Sequence, residues 1–143
     1  MLLSSIMQAR NFPRTLARIL GGASLLLLAA CNAETPVSSS PGVTLLQQAA
    51  ASGRPTIAEF GAKTCTSCRE MKVILDQVAQ RTAGEANVLI IDITEDWQAS
   101  QTYRIQMMPT QVFFDVHGKE IGRHIGKLSE AEVLEGLSAG RAR

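Results

Sequence analysis

The chain has 143 residues, with 14 basic and 13 acidic side chains, three cysteines and a formal charge of +1. That length supports one small domain with one core. The balanced charge offers no basic patch of the kind that binds nucleic acid.

The first segment is read apart from the fold. Arg10, Arg14 and Arg18 precede the first acid, Glu34, and an apolar run follows them from Ile19 to Ala30. The run is short for a membrane span and ends in small residues, the pattern of a secretory signal. Its end, Leu28-Ala29-Ala30-Cys31, resembles the lipobox of bacterial lipoproteins, in which the cysteine is lipidated and becomes the mature N-terminus. The alternative is an ordinary signal peptide that ends near a cysteine. Lipidation of Cys31 would also settle cysteine parity in an exported protein, leaving Cys65 and Cys68 as one pair. Residues 1–30 are therefore expected to be a lipoprotein signal peptide. Residues 31–42, polar and rich in Ser and Pro, are expected to form the lipidated N-terminus and a flexible tether. Residues 43–143 are expected to form the domain. Beyond residue 30 the chain keeps 11 basic and 13 acidic residues, a formal charge of −2.

Within the domain, Thr44 is a candidate cap for a helix over Leu45, Leu46, Ala49 and Ala50, ended by Gly53. A strand is expected over Thr56–Phe60. Thr66 or Ser67 opens the next helix, with an apolar stripe of Met71, Ile74, Leu75, Val78 and Ala79. Residues 87–93 are nearly all apolar, as expected of a strand covered on both faces. Thr94 or Asp96 caps a helix through Tyr103, with Trp97 a packing candidate. Thr110–Val116 and Lys119–Ile125 read as a hairpin turned at His117-Gly118. Ser129 and Glu132 fit a capping box for a last helix that buries Val133, Leu134 and Leu137. The final residues, 139–143, are expected to fray. The order α-β-α-β-α-β-β-α joins a βαβ unit to a β-hairpin, which implies an α/β domain with a central mixed sheet flanked by helices.

Cys65 and Cys68 form a Cys-x-x-Cys pair between the first strand and its helix. A thiol at the first turn of a helix meets unpaired N–H groups and the positive end of the helix dipole, and both stabilise the thiolate. A second thiol about one turn on can close a disulfide with it. Thiol–disulfide exchange, a structural disulfide and half of a metal site all fit this spacing. A closed zinc site needs four ligands, and beyond the cysteines the domain offers only His117 and His124 as soft partners.

The element order, the pair, Met108-Pro109-Thr110 ahead of a strand, and Gly126 after the hairpin together resemble the thioredoxin family over about residues 44–137. The resemblance implies a thioredoxin-like fold and a thiol–disulfide oxidoreductase, without cofactor or metal. Cys65 would be the nucleophile, with Lys63 aiding its thiolate if turned inward, and Cys68 the resolving thiol. Glu59 stands where the family keeps a buried acid and would take a proton from Cys68; the alternative is a glutamate on an exposed strand face. Pro109 is expected to be cis, presenting backbone groups of Met108 to an extended substrate, with Met107 and Met108 as an adaptable rim or, alternatively, as core filling.

Two departures from the family stand out. Thr64 replaces the tryptophan usual before the first cysteine, and Thr66-Ser67 replaces the usual Gly-Pro. They put a broad substrate range in doubt and place hydroxyls near the sulfurs.

The expected role is a reductase of protein disulfides, lipid-anchored in a bacterial periplasm and supplied by a membrane electron-donor protein. Asn32, where Asp would favour the inner membrane, leans toward the outer. A monomer with no nucleic-acid partner is expected. The alternatives are a thiol oxidase or isomerase, and a non-catalytic binding or copper-binding module.

Overall fold

The computed structural model of the chain describes residues 39–142. The expected signal peptide, Cys31 and most of the tether lie outside the described residues. The elements are α1 (Pro41–Ala51), β1 (Thr56–Gly61), α2 (Thr66–Arg81), β2 (Asn87–Asp92), α3 (Trp97–Thr102), β3 (Thr110–Phe114), β4 (Glu120–Ile125) and α4 (Glu130–Arg141). The sheet order is β2-β1-β3-β4. β1 runs parallel to β2 and antiparallel to β3, and β3 and β4 form the hairpin.

Strand alternation divides the core into two layers. Ala58, Phe60, Val112 and Phe114 face α1 and α3, meeting Val43, Leu46 and Ala99. Ile57 and Phe113 face α2 and α4, meeting Met71, Leu75, Val78, Val133 and Leu137. By the same alternation Glu59 and Gln111 belong to the α2/α4 layer. Both are fully buried and directly opposite each other in the β1–β3 register. This places two polar side chains in one apolar layer at the end of the sheet where α2 begins.

Several expectations are corrected. Helix α1 starts at Pro41 with Ser40 as its cap, so residues 40–42 belong to the helix and not to a tether. The Gly42 N–H donates to Asp96 Oδ2 at 2.7 Å, tying this start to the cap of α3. Leu45 is exposed, because the inward face is Gly42, Val43, Leu46 and Ala49. In α2 the stripe is Met71, Leu75 and Val78, with Ile74 partly buried and Ala79 exposed. Strand β2 reaches both core layers, Leu89 and Ile91 on the α1/α3 side and Val88 on the α2/α4 side, but it is an edge strand and Ile90 is 41% exposed. Trp97, at the first position of α3, is exposed, and Ala99 and Ser100 form the buried face instead. β3 ends at Phe114 because the turn begins there, with Asp115 Oδ1 accepting from the N–H groups of His117 and Lys119. The chain end is not frayed at Ala139. α4 continues to Arg141, the Gly140 carbonyl accepts from the Val116 N–H at 3.2 Å, and Arg141 pairs with Glu85. The capping box forms between Ser129 and Glu132.

Candidate active site

From the end of β1 the chain turns through residues 62–65 into α2. Cys65 itself caps this helix, directly before Thr66, which opens it as expected. Its sulfur accepts the Cys68 N–H at 3.3 Å, the place usually taken by a side-chain oxygen. Ser67 Oγ lies 3.3 Å from the same sulfur. A disulfide sulfur carries no proton, so the hydroxyl is the donor. No acid stands in the first turn of α2, so nothing there opposes a thiolate at Cys65.

Cys65 and Cys68 are joined as a disulfide with Cα atoms 5.3 Å apart. Their environments differ. Cys65 is half-buried at the surface, whereas Cys68 is only 5% exposed and faces the core. An incoming sulfur therefore meets Cys65 first.

The turn before Cys65 is held from several sides. The Ile93 N–H donates to Gly61 O at 2.9 Å and the Lys63 N–H to Asp92 Oδ2 at 3.2 Å. The Arg69 guanidinium donates to Lys63 O and Thr66 Oγ1, both at 3.2 Å. Lys63 does not turn inward. Its ammonium pairs with Glu95 at the surface, which raises its pKa.

Glu59 is 1% exposed, so it is not on an open strand face. Neither carboxyl oxygen has a protein hydrogen-bond partner. Burial pushes its pKa up from 4.5 to about 7, against a smaller lowering from the Lys72 ammonium. The space between this carboxyl and Cys68 exists because residue 61 is glycine. A Cβ on Gly61 would stand 3.1 Å from Glu59 Oε1 and 3.1 Å from both Cβ and Sγ of Cys68. A cavity of about 440 Å³ opens beside them, lined by Glu59, Gly61, Cys68, Lys72, Ile90 and Asp92 among others. It gives Glu59 and Cys68 a common, mostly apolar space.

At the same end of the neighbouring strand, the Met108–Pro109 peptide is cis. The Gly126 N–H donates to Pro109 O at 2.9 Å, and Thr110 Oγ1 donates to Met107 O at 2.7 Å. Gly126 has φ +106°, a backbone conformation that suits glycine. Met107 and Met108 are exposed, so they do not fill the core. Ile125, paired with Thr110, adds an exposed apolar side chain beside them, which the sequence reading did not single out.

His117 lies in the hairpin turn and His124 in β4, and neither lines the cavity. Among the described residues no three His, Cys, Asp or Glu side chains gather to hold a metal ion. Gln111 and Gly61 were also missed. The signal for Gln111 was present: it is the polar residue in the apolar strand Thr110-Gln111-Val112-Phe113-Phe114, two places from Phe113 and so on its face.

A mixed four-stranded sheet between two helical layers, with a helix-capping Cys-x-x-Cys disulfide beside a cis-proline loop, defines a thioredoxin-fold dithiol domain. The chain belongs to the thioredoxin family, whose Thioredoxin profile matches residues 43–139. It is 30% identical over 121 residues to the chloroplastic thioredoxin-like protein HCF164 of Oryza sativa subsp. japonica, covering 83% of this chain and 42% of that protein. It is 32% identical over 85 residues to the thiol:disulfide interchange protein TxlA homolog of Synechocystis sp., covering 58% of this chain and 47% of that one. Chloroplastic thioredoxin z has a solved structure that matches with a TM-score of 0.62 at 29% identity, covering 70% of this chain and 89% of that one. The chain spans less than half the length of the two curated relatives.

Proposed function

We propose that the protein is a thiol–disulfide oxidoreductase that mainly reduces protein disulfides, working from a lipid anchor in a bacterial periplasm. The observation that carries this reading is the asymmetry of the pair. An accessible, helix-capping Cys65 is bonded to a buried Cys68 that shares a gap with an unpartnered carboxyl.

In the reduced protein, Cys65 thiolate attacks one sulfur of a substrate disulfide. A Cys65–substrate bond forms, and the other substrate sulfur leaves as a thiolate. Glu59 carboxylate then takes the proton from the Cys68 thiol. Cys68 thiolate attacks Cys65 Sγ, the Cys65–Cys68 bond forms, and the second substrate sulfur departs. The substrate gains two electrons and the pair loses two. A carboxyl with pKa about 7 suits this step, since it both accepts and returns a proton near neutral pH. Met108 and Pro109 present backbone to an extended peptide, and the exposed Met107, Met108 and Ile125 suit an apolar stretch of it.

Supporting the anchor are the basic start, the short apolar run and Leu28-Ala29-Ala30-Cys31. A periplasmic reductase needs an electron source, because its compartment is oxidising. The donor is therefore a membrane dithiol protein, reached directly or, from an outer-membrane anchor, through a soluble carrier. Asn32 favours the outer membrane.

The deciding measurement is the reduction potential of Cys65–Cys68 in glutathione buffers. A value near −270 mV, about that of thioredoxin, supports a reductase; one near −120 mV, about that of a strong disulfide donor, reverses the direction. In cells, Cys68→Ser should accumulate mixed disulfides and Cys65→Ser should lose turnover. Normal turnover in Cys65→Ser would mark a binding module instead. Cys31→Ala should release the protein from the membrane.

A further inference from the structure

A row of residues crosses the sheet in register on the α2/α4 face: Ile90 on β2, Glu59 on β1, Gln111 on β3 and His124 on β4. Gln111 is fully buried, and its amide nitrogen and oxygen have no protein hydrogen-bond partner, as is true of both Glu59 oxygens. Side chains directly opposite on antiparallel strands share a face and lie within reach of one another. A leucine here would fill the layer without burying an unpaired amide.

We infer that Gln111 is a positioning residue for the proton step at Glu59: the two side chains, opposite each other but not bonded in this disulfide form, pair in the dithiol form, where the amide holds the carboxyl toward Cys68 in either protonation state. This rests on the assignment of Glu59 as the proton acceptor. The chemistry of the amide fits the task. Its N–H groups donate to a carboxylate, and its oxygen accepts from the O–H of a carboxylic acid. When the proton passes from Cys68 Sγ to Glu59, the amide changes from donor to acceptor by turning about its last bond, and itself gains and loses no proton. A lysine or arginine at this place would favour only the charged form, and an apolar residue would hold neither.

Other groups act on the same carboxyl. From α2, Cys68 shares the gap and Lys72 lowers the pKa of Glu59 by its field, its ammonium held by Asp76. Lys63, Arg69, Asp92 and Glu95 line the cavity, with Lys63 and Glu95 paired. β2 presents Ile90, without charge. α4 buries Val133, Leu137 and Gly140. His124 lies one strand beyond Gln111 and near Glu132. The amide from β3 is thus the neutral hydrogen-bonding group directly opposite Glu59.

The test is to follow the Glu59 carboxyl carbon by NMR against pH in the full chain, reduced with excess dithiothreitol. The pH profile of mixed-disulfide resolution is measured alongside, by single turnover. In Gln111→Leu both bonds are lost, but the charge-assisted one to the carboxylate is about twice as strong as the neutral one to the acid, so the Glu59 midpoint should rise by about one pH unit, and the resolution profile with it. Gln111→Met, close to glutamine in length, should do the same and serves if the leucine variant folds poorly. Midpoints unchanged or lowered in folded variants would overturn the proposal and leave Glu59 as acceptor. A resolution profile that is the same in Glu59→Gln as in the parent would instead remove the acceptor assignment, and Gln111's role with it.

Discussion

Glu59 Oε1 and Cys68 Sγ lie beside one small gap, each 3.1 Å from the point where a Cβ on Gly61 would stand. They are thus separated by no more than twice that distance. The pleat produces this arrangement. Glu59 and Gly61 are two apart on β1 and project to one face, and α2 lays Cys68 over that face. A carboxyl made basic by burial is thereby set beside the thiol that it deprotonates in the proposed exchange.

Gly61→Ala tests the gap directly. The new methyl meets Cys68 Cβ and Sγ and the Glu59 carboxyl at a separation tighter than ordinary van der Waals contact. The Glu59 side chain can turn aside, whereas Cys68 Cβ is fixed by the helix. The variant should fold, with a loss of about 1–3 kcal/mol. Its mixed disulfide should resolve roughly tenfold more slowly, since a displaced carboxyl gives up part of general-base catalysis. The first attack by Cys65 should change little. Stopped-flow kinetics separates the two steps, and equal slowing of both would contradict this account.

Burial of Glu59 also makes stability depend on pH. The native pKa of about 7 lies above the unfolded value near 4.5, so between these limits the native disulfide form binds the extra proton. Stability therefore falls as pH rises through this window, and the full penalty is present above pH 7. The window corresponds to about 3 kcal/mol at most, reduced by whatever solvent screening the cavity allows. Glu59→Gln has nothing to ionise. It should match the parent below pH 4.5 and exceed it by about 2–3 kcal/mol at pH 8. Urea denaturation of the oxidised protein at both pH values measures this, and an equal difference at the two would show that ionisation is not the cause.

The sequence made some of this site legible and hid the rest for physical reasons. Element order followed from periodicity and turn residues, and the Cys-x-x-Cys pair, Pro109 and Gly126 are local signals. The opening of α2 at Thr66 was legible too, but that the Cys65 sulfur takes the capping place usually held by a side-chain oxygen needed the fold. The run Val88-Leu89-Ile90-Ile91 could not reveal that β2 is an edge, since that depends on strand order. Trp97 was a packing candidate, yet it stands at the helix start and is exposed. Gln111 was visible as a polar residue in an apolar strand, but its relation to Glu59 needed the β1–β3 register.

Ser67 tests how the residues between the cysteines tune the nucleophile. Its hydroxyl is 3.3 Å from Cys65 Sγ, and the Cys68 N–H reaches the same sulfur at 3.3 Å. Hydrogen bonds to a thiolate favour the charged form. Removing one of two should leave the thiolate disfavoured by roughly 0.5–1 kcal/mol, the net value of a typical hydrogen bond. Ser67→Ala should therefore lower the rate of Cys65 alkylation by iodoacetamide at pH 7 about two- to fivefold. The effect should shrink at pH values where the thiol is fully ionised in both proteins, because the remaining nucleophilicity differs little. Loss of the thiolate donor also shifts the dithiol–disulfide balance toward the disulfide, making the variant more reducing in glutathione buffers. Unchanged alkylation at pH 7, with the potential unmoved, would leave the helix end and the Cys68 N–H as sufficient to hold the thiolate.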